Sequence, residues 1–93
     1  GSVDNSIEEY SKALSYYQKA LEIDQNTLAP NHPYLGITYN NMGLVYKNMN
    51  EYAKALSMFE CALNIEKSAQ SPNETRIEQY TKNIVQAKDK LNP

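Results

Sequence analysis

Tryptophan is absent from these 93 residues, and cysteine, histidine and phenylalanine occur once each. A single cysteine, Cys61, has no partner for an intramolecular disulfide, which fits a reducing compartment and predicts a cytoplasmic location. With one histidine, His32, there is no cysteine or histidine cluster for a structural metal, and no cofactor is expected. No apolar run is long enough to span a bilayer, and no signal-peptide pattern opens the chain, so no membrane is expected as a partner. The formal net charge is only −2. Charge therefore gives no reason to expect nucleic acid either. Strand signals are also missing, because the β-branched residues are scattered and do not alternate.

What remains is an ordinary globular composition, 41% hydrophobic and 22% charged, sized for one small domain or a piece of one. Eight tyrosines stand against the lone phenylalanine. Tyrosine must then do much of the packing, each hydroxyl seeking water or a partner. The opening Gly1–Ser2 resembles a remnant of tag removal. Residues 1–6 read as a leader and 7–93 as the domain.

The domain is internally duplicated. Residues 9–31, EYSKALSYYQKALEIDQNTLAPN, return as residues 51–73, EYAKALSMFECALNIEKSAQSPN, at an offset of 42 residues. Identical pairs include Tyr10/Tyr52, Ala13/Ala55, Leu14/Leu56, Ala20/Ala62, Leu21/Leu63 and Ile23/Ile65. Pro30/Pro72 and Asn31/Asn73 also match, so the loop recurs with the helix.

Periodicity predicts four helices and an all-α class. The first spans about 7–28, with Ser6 as N-cap and Glu9 completing a capping box. Its stripe is Tyr10, Ala13, Leu14, Tyr17, Ala20 and Leu21, spaced i, i+3, i+4, i+7. Pro30 and Pro33 end it, and Pro33 suits the first position of the next helix, about 34–48. Asn50 is the expected cap of a third helix, about 51–69. Ser71-Pro72-Asn73-Glu74 then opens a fourth, 73–91, whose stripe reads Ile77, Ile84 and Leu91.

Gly43 stands in the middle of the second helix, although glycine costs about 1 kcal/mol there against alanine. It shares a stripe with Tyr39, Met42 and Tyr46. A missing side chain on that face would let another helix approach closely, with Ala55 and Ala62 of the third helix as the matching flat surface. Packing would then outweigh propensity.

Tyr39, Met42, Gly43, Tyr46, Tyr52, Ala55, Phe59 and Ala62 resemble the signature positions of a tetratricopeptide repeat (TPR). The usual repeat is about 34 residues. The longer period here, with TLAPNHP in the connection and Asn40–Asn41 in the helix, resembles the kinesin light chain form. The resemblance implies antiparallel helix hairpins of a TPR superhelix, with one full repeat at 34–69. A helix B at 7–28 precedes it, and a capping helix at 73–91 closes the array. In the fourth helix Thr81, Val85 and Lys88 replace Tyr39, Gly43 and Tyr46, a departure that suits a cap with a polar outer face.

The resemblance also implies a function, since in this family helix A lines a concave groove that holds extended peptides. Asn40, Asn41, Leu44 and Lys47 fall on that side of the second helix, and Gln79, Lys82 and Asn83 on the corresponding stripe of the fourth. Asn41 matches the position that supplies a clamp asparagine in members recognising a C-terminal carboxylate. Asparagine can donate to and accept from a main chain. The alternative is that these amides form a solvated face or bond locally to backbone.

Catalysis is not expected. His32 sits in a proline-bounded loop, where capping or a turn explains it better than a dyad with Cys61. Cys61 replaces Lys19 of the other copy and reads as outward-facing. Glu8, Glu9, Glu22, Asp24, Glu60 and Glu66 read as solvated helix faces. The expected function is a protein-interaction scaffold that binds a partner's peptide or helix. The alternative is a structural module whose partner is a second copy. That alternative rests on the first helix, which would be a B without an A, leaving Tyr10, Leu14, Tyr17 and Leu21 to drive homo-oligomer formation.

Overall fold

The computed structural model describes the backbone of residues 2–92 and the side chains of residues 7–92. Four helices account for nearly all of it: α1 (Ser2–Thr27), α2 (Pro33–Asn48), α3 (Tyr52–Ser68) and α4 (Glu74–Leu91). No strand occurs among the described residues, as the absence of alternation predicts. Helix α1 begins five residues before the predicted position 7, so Ser6 lies inside it and is not its N-cap. Gly1 and the Ser6 side chain lie outside the described residues.

Local chemistry sets the other boundaries. Pro33 is the first residue of α2, and His32 is its N-cap, its ring Nδ1 accepting from the Tyr34 amide at 3.2 Å. The capping role expected of the lone histidine is therefore the one it performs. Asn73 caps α4 in the same way, Oδ1 accepting from the Arg76 amide at 3.0 Å.

The expectation that Asn50 caps α3 needs correction, because Asn50 ends α2 instead. It adopts the left-handed conformation, φ 65°. The Glu51 amide donates back to the Tyr46 carbonyl at 2.8 Å and the Asn50 amide to the Lys47 carbonyl at 3.0 Å. These are the two bonds of a Schellman stop, with asparagine where glycine is commonest. Asn50 Oδ1 also accepts from the Tyr52 hydroxyl at 3.0 Å. Helix α3 starts at Tyr52 behind Glu51, which makes no side-chain capping bond.

Chain neighbours pack on one another, α1 on α2, α2 on α3 and α3 on α4. The molecule measures 45 × 33 × 17 Å, and its thin dimension suits two layers of helices with axes about 8–10 Å apart. Helix α3 is flanked on both sides and supplies the centre of the core: Ala55, Phe59 and Ala62 are fully buried. Leu35 and Met42 of α2 and Tyr80, Ile84 and Ala87 of α4 complete it.

Gly43 is at a close helix–helix contact, as its place on the buried stripe predicts. The partner is Phe59, where Ala55 and Ala62 were expected. A Cβ at residue 43 would stand 2.5 Å from Phe59 Cε1 and 2.7 Å from Cδ1. The lone phenylalanine thus fills the space that the glycine vacates. At Gly36, one heptad earlier, a Cβ would stand 3.2 Å from the Ala62 carbonyl oxygen and 3.6 Å from Ile65 Cγ2.

The predicted stripe of α4 is also corrected. Leu91 is exposed, while Tyr80 and Ala87 share the buried face with Ile84, and Ile77 is half-buried.

Candidate peptide-binding face

Helices α2 and α4 both pack on α3, and two side-chain contacts bridge them. Asn83 Nδ2 donates to Asn40 Oδ1 at 2.9 Å, and Lys47 Nζ donates to Gln86 Oε1 at 2.9 Å. Asn40 is only 6% exposed, so its amide closes the α2–α4 junction and does not project into solvent. A buried amide without that partner would cost roughly 1–3 kcal/mol.

The remaining candidates divide by surroundings. Leu44 is half-buried and packs against the core of Ala55, Phe59, Ile84 and Ala87, drawn in beside Gly43. Asn41 is half-buried, Gln79 and Lys82 are exposed, and none of the three makes a side-chain hydrogen bond among the described residues. Helix α2 carries no acidic residue at all. The shared face is thus a row of amides and lysine ammonium groups over a short apolar floor.

The four α1 positions expected to self-associate, Tyr10, Leu14, Tyr17 and Leu21, are half-buried. No described side chain of α1 is fully buried, and Tyr16 and Ile23 are 71% and 62% exposed. The second copy differs. Met58 and Ile65, their equivalents in α3, are half-buried, and Phe59 and Ala62 are fully covered where Tyr17 and Ala20 are not.

One polar centre lay outside the sequence reading. Glu66, expected on a solvated face, is 0% exposed. Its carboxylate accepts from the Asn73 amide at 2.9 Å and from Arg76 Nε at 2.8 Å, pinning the start of α4 to the end of α3. Arg76 is the chain's only arginine. That one departure from lysine is the signal that could have revealed the pair, since guanidinium suits a partly buried carboxylate. Tyr80 lies nearby, its hydroxyl buried and without a hydrogen-bond partner among the described residues. Burial pushes the Tyr80 hydroxyl pKa up, the Glu66 charge adds to this, and Arg76 opposes it.

The loop residues serve structure. Asn31 Nδ2 donates to the Ser68 carbonyl at 2.9 Å, tying the α1–α2 connection to the end of α3. The His32 ring is occupied in its cap, and Cys61 is half-buried in α3. Among the described residues no group of three or more His, Cys, Asp or Glu side chains is placed to hold a metal ion. No helix among them is long and apolar enough to cross a membrane.

Stacked helical hairpins repeating at a fixed period define a helical repeat protein. The Tetratricopeptide repeat family model matches residues 1–68, and the chain belongs to that family. Such repeats generally mediate protein–protein interaction and form non-catalytic scaffolds. No curated protein and no solved structure matches the chain.

Proposed function

We propose that the chain is a protein-binding scaffold that holds an extended peptide of a partner along the face shared by α2 and α4. The observation that carries this reading is the Asn40–Asn83 and Lys47–Gln86 pairing. It sets two helices in fixed register, with Asn41, Gln79 and Lys82 left to reach a ligand. Amides can pair with a peptide main chain, and the ammonium groups favour an acidic peptide or a free C-terminal carboxylate. Asn41 is the position we assign to the clamp asparagine, and Leu44 supplies apolar contact at the floor. The repeat is of the long, kinesin light chain-like form, α4 acts as its cap, and the module is cytoplasmic and without catalytic activity. Neither nucleic acid nor membrane is a partner.

A screen of the chain against arrayed short peptides, acidic and neutral, each with free and amidated C-termini, tests this. Selective retention of acidic or free-carboxylate peptides is expected, and Asn41→Ala should lose it without a change in melting temperature. Equal retention of neutral amidated peptides, or an Asn41→Ala variant that binds as the parent does, contradicts it.

A second reading is favoured by the exposure of Tyr16 and Ile23 beside the half-buried Tyr10, Leu14, Tyr17 and Leu21. In this reading copies of the chain associate through α1. Sedimentation across a concentration series should then show a homo-oligomer that Leu14→Glu or Tyr17→Glu disperses or unfolds. A monomer at every concentration refutes it.

A further inference from the structure

The duplication provides an internal standard for what each helix face can accept. Helix α3 seats against α2 because α2 has no side chain at two places seven residues apart. Gly36 meets the Ala62 carbonyl and Ile65, and Gly43 meets Phe59. Shifted by the 42-residue period, the α3 groups Phe59, Ala62 and Ile65 become Tyr17, Ala20 and Ile23 of α1. A second copy's α1 therefore offers nearly the same surface that α3 offers to α2.

The same shift carries α2 onto α4. Leu35 and Met42 become Ile77 and Ile84, which remain on the packed face of α4, so the register holds there too. Gly36 becomes Glu78 and Gly43 becomes Val85, both exposed, Val85 by 52%. On α2 even a bare Cβ at residue 43 would fall 2.5 Å from the aromatic ring opposite it. A β-branched valine there cannot be accommodated against a tyrosine of the same outline. Glu78 would press a carboxylate against the carbonyl of Ala20 and the side chain of Ile23, a desolvation without a compensating partner.

We propose that Val85 and Glu78 shut the outward face of α4 against the α1 of a second copy, so that copies of this chain cannot stack head to tail. Without that bar the chain would carry complementary faces at its two ends. A heterologous contact of that kind propagates into open assemblies. The inference rests on self-association through α1 and adds a limit to it: the α1 of one copy does not seat on the outward face of α4 of another.

Sedimentation velocity on three forms of the full chain, each checked for helix content by circular dichroism, tests it. Glu78→Ala with Val85→Gly removes both obstacles and is expected to give masses that climb beyond two copies with concentration. Glu78→Ala with Val85→Ala retains a Cβ at residue 85 and is expected to stay with the parent. Adding Ile23→Lys to the glycine form should abolish the growth. Growth of the alanine form as well, or no growth of a folded glycine form, overturns the proposal. The parent alone gives an independent test: assembly beyond two copies that Ile23→Lys suppresses also overturns it. A monomeric parent beside a growing glycine form contradicts only the α1 pairing and upholds the closure of α4.

Discussion

Gly43→Ala sets two effects of similar size against each other, and the structure decides which prevails. The backbone at Gly43 is helical, with no positive φ, so alanine meets no conformational obstacle. In an uncrowded helix the change would stabilise by about 1 kcal/mol. The new methyl would, however, stand 2.5, 2.7 and 3.1 Å from three atoms of the Phe59 ring, against an ordinary contact of roughly 3.5–4.0 Å. Phe59 is fully buried, so its ring cannot swing into solvent. Overpacking of this kind costs about 1–3 kcal/mol, which leaves a net loss of about 0–2 kcal/mol for alanine and more for leucine. For a domain of this size each kcal/mol shifts melting by about 4–8 °C. Thermal unfolding followed by far-ultraviolet circular dichroism should therefore place Gly43→Ala below the parent and Gly43→Leu lower still. Shortening the ring with Phe59→Leu should reverse the sign, so that Gly43→Ala stabilises in that background, and this coupling separates packing from propensity. A Gly43→Ala single variant that melts above the parent would refute the close-contact argument.

Other groups give independent tests. Tyr80→Phe should leave stability at neutral pH unchanged or slightly raised, because the buried hydroxyl has no hydrogen-bond partner among the described residues. The raised pKa of Tyr80 means that above the unfolded value of about 10 only the unfolded state ionises. Its stabilisation is complete below that value and is lost as pH rises through the folded pKa, so alkaline melting curves should lose less stability in Tyr80→Phe than in the parent. Glu66→Ala strands Arg76 and the Asn73 amide and should cost about 2–4 kcal/mol by urea titration, with Glu66→Gln costing less; an unchanged midpoint for Glu66→Ala would contradict the latch. Asn50→Gly should be neutral or stabilise by up to about 1 kcal/mol, whereas Asn50→Val should destabilise, because only the former relieves the left-handed backbone.

Much of the fold is legible in the sequence because the same helix and loop occur twice, and because proline and apolar spacing mark the breaks. Gly43 is legible for a related reason: a glycine on an apolar stripe has few uses other than close approach. Its partner is not legible, since Phe59, Ala55 and Ala62 all lie on the facing stripe and only the crossing of the helices selects among them. Asn50 misleads because asparagine serves equally as an N-cap and as a left-handed helix stop. Glu66 misleads because a carboxylate on a helix reads as solvated unless the turn beyond it is known to return Asn73 and Arg76 to its oxygens. The Asn40–Asn83 bond joins residues 43 apart. Each alone reads as a groove amide, and only the α2–α4 approach turns Asn40 inward.

The most direct measurement of the peptide-binding account is an amide chemical-shift titration of the isotope-labelled full chain with the tightest peptide from the array screen. The account predicts saturable shifts concentrated at residues 37–48 and 79–86, with Asn41, Gln79 and Lys82 among the largest, and their loss in Asn41→Ala. Saturable shifts confined to the outward faces of α1 and α3 would contradict it.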